Sequence, residues 1–299
     1  MADRSLTISP QIVSKRIRHL VRDFLGYVAL ICCAVILLAP LLWMISTSLK
    51  ETGRELSYPP QWLPKPVVWQ NYVEIWSYIP YGLYFRNSVI VTVGATAGSM
   101  LCSALVAFGF ARLRFPGRDI LFVLVLSTLM LPAVVTLVPN FILFRQLGWI
   151  DTFLPLIIPS WLGQGAYGQG AFYIFLMRQF YRTIPYEYDE AARVDGASAL
   201  QIFWHVILPL SLPPLTVVGI FAFLANWNDF LYPLVFIQSP ERTVLALGVR
   251  SMMSSSERGM PWNLIMAGSF LMVLPCLIAL LIGQKYFIRG IATSGLAGR

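Results

Sequence analysis

The sequence predicts an all-α, polytopic membrane protein, and three observations predict it. Of 299 residues, 57% are hydrophobic and only 12% charged, about half the usual share for a soluble globular chain. Six intervals without Asp, Glu, Lys or Arg are each at least 25 residues long: Phe24–Leu49, Asn87–Ala111, Ile120–Phe144, Thr152–Met177, Gly196–Asn228 and Gly259–Gln284. A helix needs about 20 apolar residues, at about 1.5 Å each, to cross a hydrocarbon core of about 30 Å. Six transmembrane helices follow, at roughly 24–46, 88–110, 120–141, 154–177, 212–237 and 264–284. They make one domain, 24–287, between a basic segment, 1–23, and a tail, 288–299.

The first element carries Ser9-Pro10, a helix-start signal. Val13, Ile17, Leu20, Val21 and Phe24 then recur at helical spacing opposite Lys15, Arg18 and Arg22. That pattern predicts a basic amphipathic helix on the inner leaflet, running into the first crossing; a frayed basic tail is the alternative. Its charged part is too long for a cleavable signal peptide, and no small-residue cleavage site follows. Arg4, Lys15, Arg16, Arg18 and Arg22 place this segment inside by the positive-inside rule. The second loop (Arg112, Arg114, Arg118), the fourth (Arg178, Arg182, Arg193) and the tail (Lys285, Arg289, Arg299) then also lie inside. Both termini are thus expected in the cytoplasm. The formal net charge of +8 is mostly a topology signal rather than a nucleic-acid footprint.

Several chemistries are excluded by what the chain lacks. Cys32, Cys33, Cys102 and Cys276 all fall in predicted crossings, no CxxC pair exists, and the histidines are His19 and His205. Neither a zinc site nor a disulfide framework is expected. None of Lys15, Lys50, Lys65 and Lys285 follows glycine, so no phosphate-binding GK[ST] loop is present. No Ser/His/Asp arrangement, HExxH motif or pair of intramembrane carboxylates suggests an enzyme. No cofactor is expected on this chain.

The inner loop 178–209 breaks the apolar background. Arg178, Arg182, Glu187, Asp189, Glu190, Arg193 and Asp195 crowd its first half. Pro185 suits a first helical turn. Glu187, Asp189 and Glu190 favour the positive end of the helix dipole. Gly196 can end the helix left-handed. Ser198 can cap a second helix with Ile202, Phe203, Val206 and Ile207 on its apolar side, ending at Pro209. Ala191 and Ala192 would let another surface approach closely, with the charges fixing register. A solvated loop helix without a partner is the other reading.

Glu190-Ala191-Ala192, Gly196 and Leu208-Pro209 resemble the EAA…G…LP pattern of permease subunits in binding-protein-dependent ABC importers. EAARVDGAS at Glu190–Ser198 looks like the carbohydrate branch, in its smaller, maltose-type permease. Thr47-Ser48-Leu49-Lys50, Asn71-Tyr72, Arg86-Asn87-Ser88, the Ala111–Gly117 loop, Trp227-Asn228-Asp229-Phe230 and Gln284-Lys285-Tyr286-Phe287 through Gly290 to Gly295 are also similar. Two positions depart: Val206 stands where Ile is usual, and Ala297-Gly298-Arg299 stands where the family tail ends in Lys-Gly. The resemblance implies the ABC importer permease fold, with a cytoplasmic coupling helix. The coupling set would be Glu187, Glu190, Ala191, Ala192, Asp195, Gly196, Leu208 and Pro209. Glu190 would contact an ATPase, the alanines would permit docking, and Gly196 would turn the chain. A sister permease, an ATPase dimer carrying ATP and Mg, and an extracytoplasmic sugar-binding protein are the implied partners, in a prokaryotic plasma (inner) membrane.

Asn226, Trp227, Asn228 and Asp229 are the best candidates for a substrate path, since sugars are held by polar groups and aromatic faces. Asp229 is the one acidic residue at the interior or outer end of a crossing, and such residues are functional by default. Counting from Pro209 places it ~25–30 Å from the inner surface. The alternative is that Asn228 and Asp229 satisfy backbone groups near Pro233. Trp161, Gln164, Tyr167 and Gln169 form a second polar-aromatic group, or an interfacial anchor. The last outer loop, 238–263, is polar around Ser251–Met260; the resemblance implies that part of it enters the binding protein, against a plain flexible loop. The rivals are an ion-coupled secondary transporter, which usually needs several intramembrane ionisable groups, an intramembrane enzyme, a non-transporting scaffold, and an ABC permease for a non-sugar solute such as glycerol phosphate.

Overall fold

The computed structural model describes the backbone at 10–55, 57–253 and 260–296, and side chains at 21–55, 57–253 and 260–284. All regular structure among these residues is helical. The helices are α1 (Pro10–Ser48), α2 (Asn71–Tyr78), α3 (Tyr81–Arg112), α4 (Arg118–Ser127), α5 (Ala133–Gln146), α6 (Leu154–Trp161) and α7 (Gly170–Tyr181). Then come α8 (Glu187–Val194), α9 (Ala199–Ile202), α10 (Leu208–Leu210), α11 (Leu212–Trp227), α12 (Leu231–Phe236), α13 (Leu245–Ser251) and α14 (Trp262–Leu296). The amphipathic pattern at 13–20 and the tail 288–299 fall outside the described side chains. Most of the Ser251–Met260 stretch lies outside the described residues.

Six unbroken crossings are not what forms. Among the described residues, three helices are long and apolar enough to span a membrane: Val21–Ser48, Tyr81–Arg112 and Trp262–Gln284. Arg118–Met130 with Ala133–Gln146 bends by 101°, and Ala199–Leu210 with Leu212–Trp227 bends by 80°; counted as single spans, they bring the total to five. The fourth interval is interrupted between α6 and α7. There Gly163, Gly165 and Gly168 take φ of 87°, 61° and 77°, a region open to glycine at little cost. Gly170 approaches the Gly163 carbonyl so closely that no side chain fits between them. The fifth predicted crossing, 212–237, is cut at 228–230, between α11 and α12. Absence of charge marks membrane depth, but it does not guarantee an unbroken helix.

Helix α3 is the hub, touching α6, α7, α11 and α13. The middle of its buried face, from 95 to 107, is small: Ala95, Gly98, Ser99, Ser103, Ala104 and Ala107. Small residues let helix backbones come close where lipid supplies no hydrophobic drive. Trp161 of α6 fills the space beside Gly98, and its Nε1 donates to the Gly94 carbonyl at 3.0 Å. Near α8 the core holds Phe108, Tyr173, Met177, Tyr181, Phe203 and Val218. Two further clusters form around Tyr84, Trp227 and Leu264, and around Val91, Phe144 and Phe236. By contrast, α1 exposes Phe24, Leu30, Ile36 and Leu37 along its length.

The far end of α1 is pinned by residues of two short motifs. Asn71 Nδ2 donates to the carbonyls of Ser48 and Lys50 at 2.8 and 2.9 Å, satisfying acceptors that a helix end leaves open. Ser48 Oγ and Tyr72 Oη lie 2.7 Å apart. Asn87 Nδ2 donates to the carbonyls of Glu241 and Thr243 at 2.9 and 3.0 Å, and Ser88 Oγ accepts from the Leu245 N–H at 2.7 Å. The segment from Glu241 to Leu245 is thereby tied to the start of α3.

Candidate functional site

Two polar sites stand out, one at each end of α3. At the end nearest Arg112, α8 lies across the bundle. Its first turn carries Glu187, Asp189 and Glu190. Gly196 closes it at φ 82°, and the Ala197 N–H reaches back to the Ala192 carbonyl at 2.9 Å, as in a left-handed helix stop. Ser198 then starts α9 with a reciprocal cap: Gln201 Oε1 accepts from the Ser198 N–H at 2.7 Å, and Ser198 Oγ accepts from the Gln201 N–H. The chain continues through a π turn at Phe203–Ile207 into α10, where Leu208 and Pro209 sit.

The helical period sorts the residues of this loop. Glu187, Glu190, Ala191 and Val194 are spaced i, i+3, i+4 and i+7, on one side. All four are exposed, Val194 by 88%. Asp195, Gly196 and Pro209 are exposed too, with Leu208 half-buried. Ala192 instead turns inward and packs on the core. Of the alanine pair, Ala191 is the exposed one and Ala192 is half-buried.

Beneath α8 lies a pair that sequence reading missed. Asp189 is 1% exposed and Arg112, the last residue of α3, 6%. Arg112 Nη1 meets Asp189 Oδ2 at 2.9 Å, and its Nη2 donates to the Ile184 carbonyl at 2.8 Å. The guanidinium also lies 5.6 Å from the Tyr186 ring. Burial pushes the Asp189 carboxyl above its ordinary value, with Arg112 and Arg193 opposing. The ion pair joins α8 to the end of α3. Its sequence signal was faint: an arginine ending an apolar interval, and one acid too many on a short helix.

At the other site, Asp229 follows α11 and is buried. Its Oδ1 accepts from Tyr167 Oη at 2.5 Å and from the Tyr232 N–H at 3.2 Å. Two of the sequence's polar groups thus converge, through a link the sequence did not supply. Asn140, Ser160, Gln164, Asn226 and Tyr232 complete a pocket of about 20 Å³, room for a single water. Asn140 Nδ2 is buried there without a partner. None of the lining residues is Lys or Arg. Gln164 and Asn226 line this pocket, and the remaining candidates turn elsewhere. Trp227 is core, donating to the Met272 carbonyl at 2.9 Å between Phe85 and Phe223. Asn228 donates to the Leu224 carbonyl at 2.8 Å, and Asn226 donates to the Ala222 carbonyl at 2.7 Å while lining the pocket. Trp161 wedges against α3, and Gln169 Oε1 accepts from Tyr173 Oη at 2.6 Å.

Outside this pocket Asp151 clasps the opposite loop. It accepts from the N–H groups of Gln238 and Ser239 at 3.0 and 2.9 Å, from the Ser239 hydroxyl, and from Arg242 at 3.1 Å. The Ser239 bonds hold its carboxyl down at about 2. Among the described residues, no group of three His, Cys, Asp and Glu could hold a metal ion.

This architecture can be set against known proteins. Residues 99–293 match the family of binding-protein-dependent transport system inner membrane components. The chain belongs to that family. It is a permease component of a transport system that depends on a binding protein, and the charged loop lies within the matched region. The permease is 33% identical over 279 residues to the sn-glycerol-3-phosphate transport system permease protein UgpE of Yersinia enterocolitica, covering 91% of this chain and 96% of the relative. It is also 33% identical to the diacetylchitobiose uptake system permease protein NgcG of Streptomyces coelicolor, covering 87% and 84%. In fold it matches a bacterial ABC transporter involved in the import of the acidic polysaccharide alginate, with a TM-score of 0.76, 23% identity and coverage of 92% and 98%.

Proposed function

We propose that the permease forms half of the membrane pathway of an ATP-driven importer for a neutral carbohydrate or polyol. The observation that carries this reading is α8, whose inner face is locked to α3 by Arg112–Asp189 and whose outer face, Glu187-Glu190-Ala191-Val194, is free. A charged, small-residue face on a rigid mount suits docking to an ATPase. That ATPase carries ATP and Mg, and its closure moves α8. ATP must favour one state of the pore, or nothing shifts. A sister permease completes the pathway, the binding protein delivers the sugar from outside, and both termini lie in the cytoplasm. The family's transport role and the shared fold of the alginate importer support this assembly.

The pocket supports the solute class. Hydroxyl, amide and phenol groups with one carboxylate suit hydroxyl-rich neutral molecules. A phosphate ester is the second reading, favoured by likeness to the glycerol-phosphate permeases. The Asp229 carboxylate, with no lysine or arginine lining the pocket, disfavours it. The test is uptake into vesicles holding the complete complex, offering neutral disaccharides and glycerol 3-phosphate. Uptake of a neutral sugar that stops when the ATPase is inactivated and persists when ion gradients are dissipated is expected. Uptake that survives ATPase inactivation would sink the proposal.

A further inference from the structure

A basic site lies at the α8 end of the bundle, away from the exposed face of α8. Phe110 and Ala111 at the end of α3, Arg118 and Asp119 at the start of α4, and Arg178 and Arg182 at the end of α7 enclose a concavity of about 370 Å³. Three arginines face one aspartate, a surplus of two positive charges. Arg178 is only 8% exposed. Its guanidinium lies 3.9 Å over the Phe122 ring, Nε donates to the Phe110 carbonyl at 3.3 Å, and Nη2 stands 3.6 Å from Asp119. Arg118 pairs with Asp119 at 3.1 Å. The lone carboxylate is 73% exposed, so it neutralises the cluster from the rim.

The surroundings say what would fill the concavity. Directly beyond Arg118, α4 presents Ile120, Leu121, Val123 and Leu124, exposed by 69, 47, 62 and 56%. Only Phe122 of that turn is buried. A cationic hollow thus opens onto an apolar helix face at the edge of the membrane. That is the profile of an amphiphile with an anionic head and apolar tails. Guanidinium groups match phosphate oxygens in geometry as well as charge, and basic pockets between transmembrane helices take phospholipid heads. We propose that this concavity binds the phosphodiester of an anionic phospholipid, with its acyl chains along α4. Such a lipid would brace α3, α4 and α7 where they meet the membrane surface, close to the mount of α8.

The test uses the purified full-length chain, equilibrated with equal amounts of phosphatidylglycerol and phosphatidylcholine, with retained lipid counted by native mass spectrometry. The wild type should keep phosphatidylglycerol in preference, and so should Arg250→Gln, a charge removed elsewhere. Arg182→Gln alters an exposed side chain and should fold. It should lose about fivefold in that preference, the size expected for one arginine at an anionic surface. Arg178→Gln with Arg182→Gln should abolish it. Excess inorganic phosphate should leave the lipid in place. Equal retention of both lipids, an equal loss in Arg250→Gln, or displacement by inorganic phosphate would each overturn the assignment.

Discussion

Glu190 and Ala192 stand two positions apart in one motif and face opposite ways. Glu190 is exposed beside Ala191, while Ala192 is half-buried and packs on the core. Their substitutions should separate cleanly. Glu190→Lys should leave folding and membrane abundance unchanged and abolish transport, since it inverts a charge on the free face. Ala192→Leu should destabilise the chain by about 1–3 kcal/mol through overpacking, lowering its unfolding temperature. Thermal unfolding in detergent, alongside vesicle uptake, tells the two apart. Normal transport by Glu190→Lys would remove that side chain from any docking role. The motif itself was legible in the sequence. Which alanine faces outward was not, because that depends on the rotation of α8 about its axis. Asp189 is the buried side chain of α8, and its partner Arg112 lies far back in the chain, at the end of α3.

At the scale of elements, the Arg112–Asp189 pair joins α3 to α8. A buried ion pair is weak evidence of stability, because desolvation offsets much of the attraction. Breaking one side is different: it leaves a buried charge alone, at a cost of about 3–5 kcal/mol. Arg112→Met and Asp189→Leu should each therefore destabilise the chain. The double variant should recover much of that loss, since an apolar pair of similar bulk needs no partner. If the pair orients α8, stability should return without coupling. The readout is the ratio of solute-stimulated to basal ATPase activity in the reconstituted complex, beside the unfolding temperature. Recovery of both together would reduce the pair to a structural filler. The element map explains why the crossing count was only partly legible. Charge-free length located α1, α3 and α14, whose apolar runs are unbroken. It ran through the Gly163, Gly165 and Gly168 loop, where the signal was backbone freedom rather than polarity.

Across the whole molecule, α3 connects the two polar sites. It runs from Asn87 and Ser88, which hold the segment before α13, to Arg112, which holds α8. Its 32 residues make a rod of about 48 Å. A pocket of about 20 Å³ beside Asp229 is too small for a sugar, so on the proposed path it would be a closed gate. The Tyr167–Asp229 bond joins the loop between α6 and α7 to the break between α11 and α12, and would hold that gate closed. Both partners sit where a helix is interrupted, so the gate can open by moving loops while α3 stays rigid. A hydrogen bond to a charged group contributes about 1.5–3 kcal/mol. Tyr167→Phe removes it from the closed state alone and should raise the open population by at least about tenfold. The probe is Asn140→Cys, a thiol lining the pocket, in a chain freed of Cys32, Cys33, Cys102 and Cys276. Maleimide labelling without ATP should be slow with Tyr167 present and faster by the same factor in Tyr167→Phe. Asp229→Asn should give a smaller increase, because the amide oxygen still accepts from the phenol. Equal labelling in all three backgrounds would mean that the gate is held by packing around Tyr232 and Phe236, with the polar bond incidental to it.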